Sequence, residues 1–264
     1  MSLGFPPLGL GTSGMDDYEE CKQTVTQALE IGYRHVDTAQ MYDNESPVGA
    51  GIRDSSVDRE EVVIATKIHP DNLAYEDAKR TARESLDRLG VDVVDLLYVH
   101  WPLREYDPQE SLRALNELHD EGLTRHVGLS NFTPELLDEA REILDVPVAA
   151  HQVECHPLLQ QDELRAYARE HDHALVAYCP LGQATISHPV LESIAEKHGV
   201  SVPLVCLAWC LAQETVIPIP KATGEHVQEN WVGQELELDS DDLDRIAGID
   251  KTERLVDPDD AAWN

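Results

Sequence analysis

Residues 62–100 read VVIATKIHPDNLAYEDAKRTARESLDRLGVDVVDLLYVH, and this stretch sets the architecture. Val62–Thr66 is a short β-branched run, and Leu96–Val99 is a second. Between them Ala78, Ala82, Leu86 and Leu89 recur at the spacing of one helix face, the signature of an amphipathic helix lying against a core. Gly90 follows, where a helix C′ residue takes a left-handed backbone. Strand, helix, strand implies parallel pairing through a right-handed crossover. A polar side chain comes directly after each strand, Lys67 after the first and His100 after the second.

The same alternation extends both ways. Further strands are expected at Pro7–Leu10, His35–Asp37, His126–Leu129, Ala149–Val153, Leu175–Tyr178 and Val216–Ile219. Leu112, Leu115 and Leu118 mark a helix face before Gly122, and Asp107-Pro108 and Thr133-Pro134 each set a capping side chain before a first-turn proline. Helices are also expected at Gln161–His171, Leu191–His198 and Pro203–Ala212. Eight strands in 264 residues suit a closed α/β architecture, the (β/α)8 TIM barrel, which leaves no sheet edge to protect. No linker divides the chain, so residues 1–264 are expected to form a single domain. Leu255–Asn264 is its C-terminal tail, expected either to fold over the pocket mouth or to fray.

Twenty Lys and Arg stand against 51 Asp and Glu, a formal net charge of −31, while 42% of residues are hydrophobic, which excludes a disordered chain. Such a surface repels phosphate backbones and anionic headgroups, so neither nucleic acid nor membrane is expected as a partner. Only six of the basic residues are Lys, and an acidic, Lys-poor surface over an ordinary core is what solvation at high salt favours. The expectation is a halophilic protein. Cys21, Cys155, Cys179, Cys206 and Cys210 form no CxxC pair, which fits a reducing compartment. Cys206 and Cys210 lie one helical turn apart without a nearby His and read as core residues. Met1–Pro7 lacks the basic and apolar regions of a signal peptide, and no apolar run reaches the ~20 residues of a spanning helix. A cytoplasmic monomer is expected.

On this fold the chemistry sits where strands end. The residues there are Asp37 and, five on, Tyr42; then Lys67, His100, Ser130 with Asn131, His151 with Gln152, Tyr178 and Lys221. Singly, each has a plain structural reading: Asp37 as a turn residue, Tyr42 as packing, Lys67 as a solvated head, His100 as a loop histidine. Together at adjacent strand ends they make a proton-transfer set. A free phenol titrates near ~10 and is a slow acid at neutral pH. An ammonium beside it favours the phenolate, a carboxylate holds that ammonium charged and aimed, and an imidazole can orient a carbonyl oxygen. In so Lys-poor a chain, Lys67 and Lys221 directly after strands are not solubilising choices. Such a set needs a hydride donor.

These residues resemble the aldo-keto reductase superfamily over nearly the whole chain. The segments that carry the likeness are Gly9–Thr12, Arg34–Tyr42, Ala65–Lys67, Asp95–Pro102, Val127–Phe132, His151–Pro157, Ala177–Gly182 and Ile217–Lys221. The compact chain is similar to the microbial group that includes 2,5-diketo-D-gluconate reductases. The resemblance implies metal-free, NADPH-dependent reduction of an aldehyde or ketone, with NADH less favoured. Tyr42 would be the general acid, Lys67 would lower its pKa, Asp37 would pair with Lys67, and His100 would orient the substrate. Ser130, Asn131 and Gln152 would hold the nicotinamide carboxamide, and Tyr178 would stack on the ring. Pro180, Leu181, Gly182 and Gln183 would follow the pyrophosphate. Lys221 and Thr223 would meet the 2′-phosphate, while Glu229 and Asn230 would contact adenine.

Three departures from the family pattern bear on the site. Ser13 stands where relatives often carry Trp, so the substrate pocket lacks one aromatic wall; Trp101 is expected either to line the pocket or to be purely structural. His151 replaces a usual Asn and is expected to reshape the nicotinamide end. His226 replaces the Arg that stacks on adenine, and its neutral imidazole attracts a phosphate less than a guanidinium does. Two other classes compete: a non-catalytic redox-sensing member of the same fold, and a barrel metallohydrolase using His69, His100 and His151. The latter lacks a His-x-His pair at Gly9-Leu10-Gly11. His171-Asp172-His173 looks like a metal pair but is expected at a solvent-side helix end.

Overall fold

The computed structural model describes residues 4–182 and 187–264. Eight strands run in chain order, each parallel to the next: β1 (Leu10–Gly11), β2 (His35–Asp37), β3 (Val63–Ile68), β4 (Val94–Val99), β5 (Thr124–Ser130), β6 (Val148–Glu154), β7 (Ala174–Tyr178) and β8 (Val216–Pro218). The sheet closes on itself. Gly9 N–H donates to Pro218 O at 3.0 Å, Gly11 N–H to Pro220 O at 3.1 Å, and Gly11 bridges Lys221 in parallel. A Cβ on Gly11 would come within 2.6 Å of Ile219 O, so only glycine permits this seam. The first strand, expected at Pro7–Leu10, is Leu10–Gly11, and Pro7 has no N–H to give a ladder.

The crossovers are α1 (Tyr18–Ile31), α2 (Glu45–Asp54), α3 (Tyr75–Leu89), α4 (Pro108–Asp120), α5 (Pro134–Ile143), α6 (Asp162–Glu170), α7 (Pro189–His198) and α8 (Val202–Leu211); α9 (Glu225–Gly233) and α10 (Ser240–Ala247) follow the last strand. The capping signals act as expected. Asp107 accepts from Glu110 N–H and Thr133 from Leu136 N–H, each before a proline, and Gly90 ends α3 at φ 69°. Among the described residues no single helix is long and apolar enough to cross a membrane.

Two apolar layers hold the fold. One lies between sheet and helices and includes Val25, Leu29, Ile64, Leu97, Val127, Leu175 and Leu207. The other fills the barrel with Ala65, Leu96, Tyr98, Ala150, Val176, Ile217 and Ile219. Strand side chains alternate faces, so residues two positions on from this filling crown it: Lys67 above Ala65, His100 above Tyr98, Gln152 above Ala150, and Tyr178 above Val176. The apolar plug thus fixes which polar groups meet at the C-terminal rim.

Candidate active site

The β2–α2 loop brings Tyr42 back over the barrel, and polar side chains pin it on both flanks. Thr38 Oγ1 donates to Asn44 Oδ1 at 2.7 Å and Asn44 Nδ2 to Thr12 O at 2.8 Å. On the other side Gln40 Oε1 accepts from His69 N–H at 3.0 Å and from Asn72 Nδ2 at 2.9 Å. Tyr42 therefore sits on a backbone tied to β1 and to the loop after β3.

At the centre, Lys67 is fully buried. Its Nζ donates to Asp37 Oδ1 at 2.5 Å, to Thr38 O at 2.8 Å and to the Tyr42 oxygen at 3.3 Å. An ammonium has three hydrogens, and all three are used. Burial alone would pull the Lys67 pKa down, but Asp37 and Tyr42 outweigh it and the net shift is upward, so the cation persists. Asp37 Oδ2 accepts from Gln152 Nε2 at 2.8 Å. With its nitrogen on Asp37, the Gln152 amide has Oε1 left to accept from a ligand.

Lys67 acts on Tyr42 in the expected direction, but burial outweighs it. Burial raises the phenol above its ordinary 10, and Asp37 adds to this, while the Lys67 charge and hydrogen bond pull it down without reversing the shift. Lys67 offsets part of the burial effect, and the phenol is held in its protonated form. His100 stacks edge-on to Tyr42, with ring centroids 5.7 Å apart. Burial, then Lys67 and His69, hold its pKa well below 6.5, so the imidazole is neutral. Its Nδ1 is buried with no hydrogen-bond partner among the described residues.

Asn131 adopts φ 64°, a conformation that Asn tolerates better than most residues. Its Nδ2 donates to His100 O and to Ser130 Oγ, both at 3.0 Å, and its Oδ1 accepts from the Tyr178 hydroxyl at 2.9 Å. Ser130, Asn131, Gln152 and Tyr178 thus form one polar rim across the ends of β5, β6 and β7. Beyond Tyr178 the chain turns sharply: Cys179 and Gly182 both have positive φ, and Gly182 N–H donates to Cys179 O at 2.9 Å. Pro180 and Gly182 are buried and Leu181 is half-buried, while Gln183 lies outside the described residues. Lys221 is exposed beside Gly11, Thr223 is half-buried, and α9 carries His226, Glu229 and the buried Asn230. His226 Nδ1 and Glu229 Oε2 lie 2.7 Å apart, so these two surface residues engage each other.

His151 does not meet the expectation set for it. Strand alternation sends its ring outward, away from Gln152, where Nε2 accepts from Phe132 N–H at 3.3 Å and the ring centroid lies 6.3 Å from that of His173. It cannot reshape the nicotinamide end, nor share a ligand set with His100. His173 is buried rather than solvent-facing, with Nδ1 2.8 Å from an Arg141 nitrogen. Burial, more than either one's charged neighbours, brings both histidines down to about 3.

Around the expected substrate residues Ser13 and Trp101 lie others that the sequence reading did not single out. Ser13 is exposed, and Trp101 is buried against Trp263 with ring centroids 5.6 Å apart. The tail is therefore docked, not frayed. Glu154, fully buried at the end of β6, accepts from the backbone N–H groups of Leu255 and Val256 at 2.7 and 2.8 Å. Glu154 shares strand parity with Gln152, a signal that could have placed it at the rim. Nothing in the sequence marked Trp263 as the partner of Trp101.

Comparison with known proteins agrees with this geometry. Residues 7–251 match the model of the Aldo/keto reductase family. The chain is 38% identical to the methylglyoxal reductase DkgB of Escherichia coli O157:H7 over 98% of each chain. It is also 38% identical to the glyoxal reductase of Bacillus subtilis, over 95% of this chain and 91% of that one. Among solved structures, the aldo-keto reductase MGS-M4 from a Medee basin deep-sea metagenome library superposes with a TM-score of 0.90 at 33% identity, covering 97% of this chain and 95% of that one. Family match, relatives and barrel converge: the chain belongs to the aldo/keto reductase family and is an oxidoreductase.

Proposed function

We propose that this protein is an NADPH-dependent carbonyl reductase that converts an aldehyde or ketone to an alcohol with Tyr42 as general acid. The observation that carries this reading is the saturated Lys67 ammonium, whose third hydrogen goes to the Tyr42 oxygen. The phenol oxygen accepts from within, so its own hydrogen is the one available to a substrate. Reduced nicotinamide, when bound, supplies the hydride that goes to the carbonyl carbon. Tyr42 gives its proton to the carbonyl oxygen, so hydride and proton together turn C=O into CH–OH. Lys67 stabilises the phenolate left behind, and Asp37 keeps Lys67 aimed. Neutral His100 carries one N–H with which to orient the carbonyl oxygen.

The residues present fit that cofactor. The orphaned His100 Nδ1 and the unspent Gln152 Oε1 accompany a rim in which Asn131, Ser130 and Tyr178 hold one another in place. Ser130, Asn131 and Gln152 would hold the carboxamide, with Tyr178 against the ring. Pro180–Gly182 would run along the pyrophosphate, joined by Gln183. Lys221 and Thr223 would meet the 2′-phosphate, which favours NADPH over NADH, and His226, Glu229 and Asn230 would border adenine. Small dicarbonyls are the favoured substrates, because the relatives quoted above are named for methylglyoxal and glyoxal; aliphatic aldehydes and diketo-sugar acids suit the same chemistry. The setting we infer is a monomer in a salt-rich cytoplasm, which the net charge of −31 supports.

The test is a panel of methylglyoxal, glyoxal, an aliphatic aldehyde and a diketo-sugar acid, run with NADPH and NADH at low salt and in multimolar KCl. Dicarbonyl-dependent oxidation of NADPH, faster than that of NADH and strongest in KCl, is expected. Cofactor binding without turnover on any carbonyl would overturn the reading and favour a redox-sensing role.

A further inference from the structure

We infer that Glu154 is a positioning residue for substrate selection: its buried carboxylate clamps the chain end so that Trp263 seats on Trp101 at the mouth of the site. The inference rests on the carbonyl-reductase reading for what the mouth admits, but the clamp itself does not.

A carboxylate with no solvent exposure is rare unless its oxygens are satisfied. Glu154 is satisfied by three donors. Leu255 N–H reaches Oε1 at 2.7 Å, Val256 N–H reaches Oε2 at 2.8 Å, and His156 Nε2 lies 3.0 Å from Oε1. The donor role of that imidazole is fixed from its other side. His156 Nδ1 accepts from Leu158 N–H at 3.2 Å, so the ring hydrogen is on Nε2. Two of the three donors come from a segment more than 100 residues away in sequence. An apolar side chain could fill the space but could not meet those two N–H groups.

The tail has no helix or strand from Lys251 onward, so its backbone groups must find partners elsewhere. Glu253 N–H donates to Leu158 O at 2.8 Å, and the next two anchors are the pair on Glu154. Between them sits Arg254, whose guanidinium lies over the Trp263 ring at 4.1 Å. Trp263 Nε1 donates to Asp257 Oδ1 at 2.8 Å, and its ring packs on Trp101, the residue after His100. Glu154 therefore fixes Arg254, Arg254 and Asp257 fix Trp263, and Trp263 supplies an aromatic wall in a pocket where Ser13 supplies none.

The experiment has two arms on the full chain. In the first, amide hydrogen exchange is followed at Leu255 and Val256 in the unaltered protein and in Glu154→Gln, whose side-chain NH2 sets a donor against at least one of the three donors. Protection at one or both amides should fall about tenfold or more while β4 and β5 keep theirs; unchanged protection at both would overturn the clamp. In the second, methylglyoxal reduction is compared in Glu154→Gln, Trp263→Ala and the double variant. KM should rise about tenfold in each, with kcat within about threefold and NADPH affinity unchanged, and the double variant should be no worse than Trp263→Ala alone. Additive losses, or a fall in kcat at constant KM, would show that Glu154 does not act through Trp263. Should Glu154→Gln fail to fold, Arg254→Met takes its place, with the same KM rise and the same non-additivity with Trp263→Ala required. If the unaltered protein reduces no carbonyl, the functional reading fails, and the exchange arm still decides the clamp.

Discussion

The Lys67 ammonium lies 3.3 Å from the Tyr42 oxygen and is committed to Asp37 and Thr38 by its other two hydrogens. The cation therefore cannot swing out to a substrate, and its sole outlet into the pocket is through the phenol. In the proposed reaction this makes the pair a directional device: charge is held below, and the proton to be transferred sits above.

Replacing Lys67 with Met should keep most of the side-chain volume and remove the charge. Asp37 would then be left buried without its ion partner, at a cost of about 3–5 kcal/mol in unfolding free energy. Loss of phenolate stabilisation should lower kcat/KM by roughly 10²–10⁴-fold. Denaturant melts and steady-state kinetics on one preparation check both. Turnover within tenfold of the unaltered protein would contradict the role given to Lys67.

The direction of the Tyr42 and His100 shifts sets the pH profile for reduction. The acid must carry its proton, and the phenol pKa lies above 10 in the fold. The imidazole must be neutral, and its pKa lies well below 6.5. Neither group titrates between pH 7 and 9, so kcat/KM for a nonionising aldehyde should be flat across that range. A decline with a midpoint near neutrality would assign the proton to another group.

Much of this was legible from residue order. The alternation around Lys67 and His100 fixed the barrel because a parallel sheet imposes strand–helix–strand with polar groups at strand ends, and that pattern is local. The strand ends themselves shifted by a residue or two, as at Leu10 and Ile68, because ladder hydrogen bonds rather than side-chain type set them. His151 shows a different limit. Its neighbour Gln152 enters the barrel, and strand parity alone turns His151 outward, so nearness in sequence to a site residue misled. The tail was beyond reach, since the contact of Trp263 with Trp101 goes with long-range tail anchors, among them the backbone contacts to Glu154, that no periodicity records.

The outward pair His151 and His173 gives a stability test separate from catalysis. Both are neutral in the fold, with pKa values of about 3 against the ordinary 6.5 of a free imidazole. Below pH 6.5 the unfolded chain takes up protons that the native chain refuses, so stability is lost as pH falls toward 3. Each histidine contributes a slope of up to about 1.4 kcal/mol per pH unit in that window. Urea melts at pH 7, 6 and 5 should show this slope, reduced in His151→Asn. An identical slope in the variant would place the acid sensitivity elsewhere.

Lys221 is exposed at the seam beside Gly11, and the NADPH preference proposed above rests on it. Lys221→Met should weaken NADPH binding by about 10–100-fold and leave NADH binding within about twofold, as loss of one charge-assisted phosphate contact implies. Fluorescence titration with both cofactors reads the difference. Equal losses for the two would show that Lys221 does not recognise the 2′-phosphate.

The most direct measurement is single-turnover hydride transfer from bound NADPH to methylglyoxal in Tyr42→Phe. That change removes one oxygen and leaves the ring against His100. NADPH affinity should persist within about threefold, while the transfer rate falls by about 10³-fold or more. Transfer at the unaltered rate would contradict Tyr42 as the proton donor.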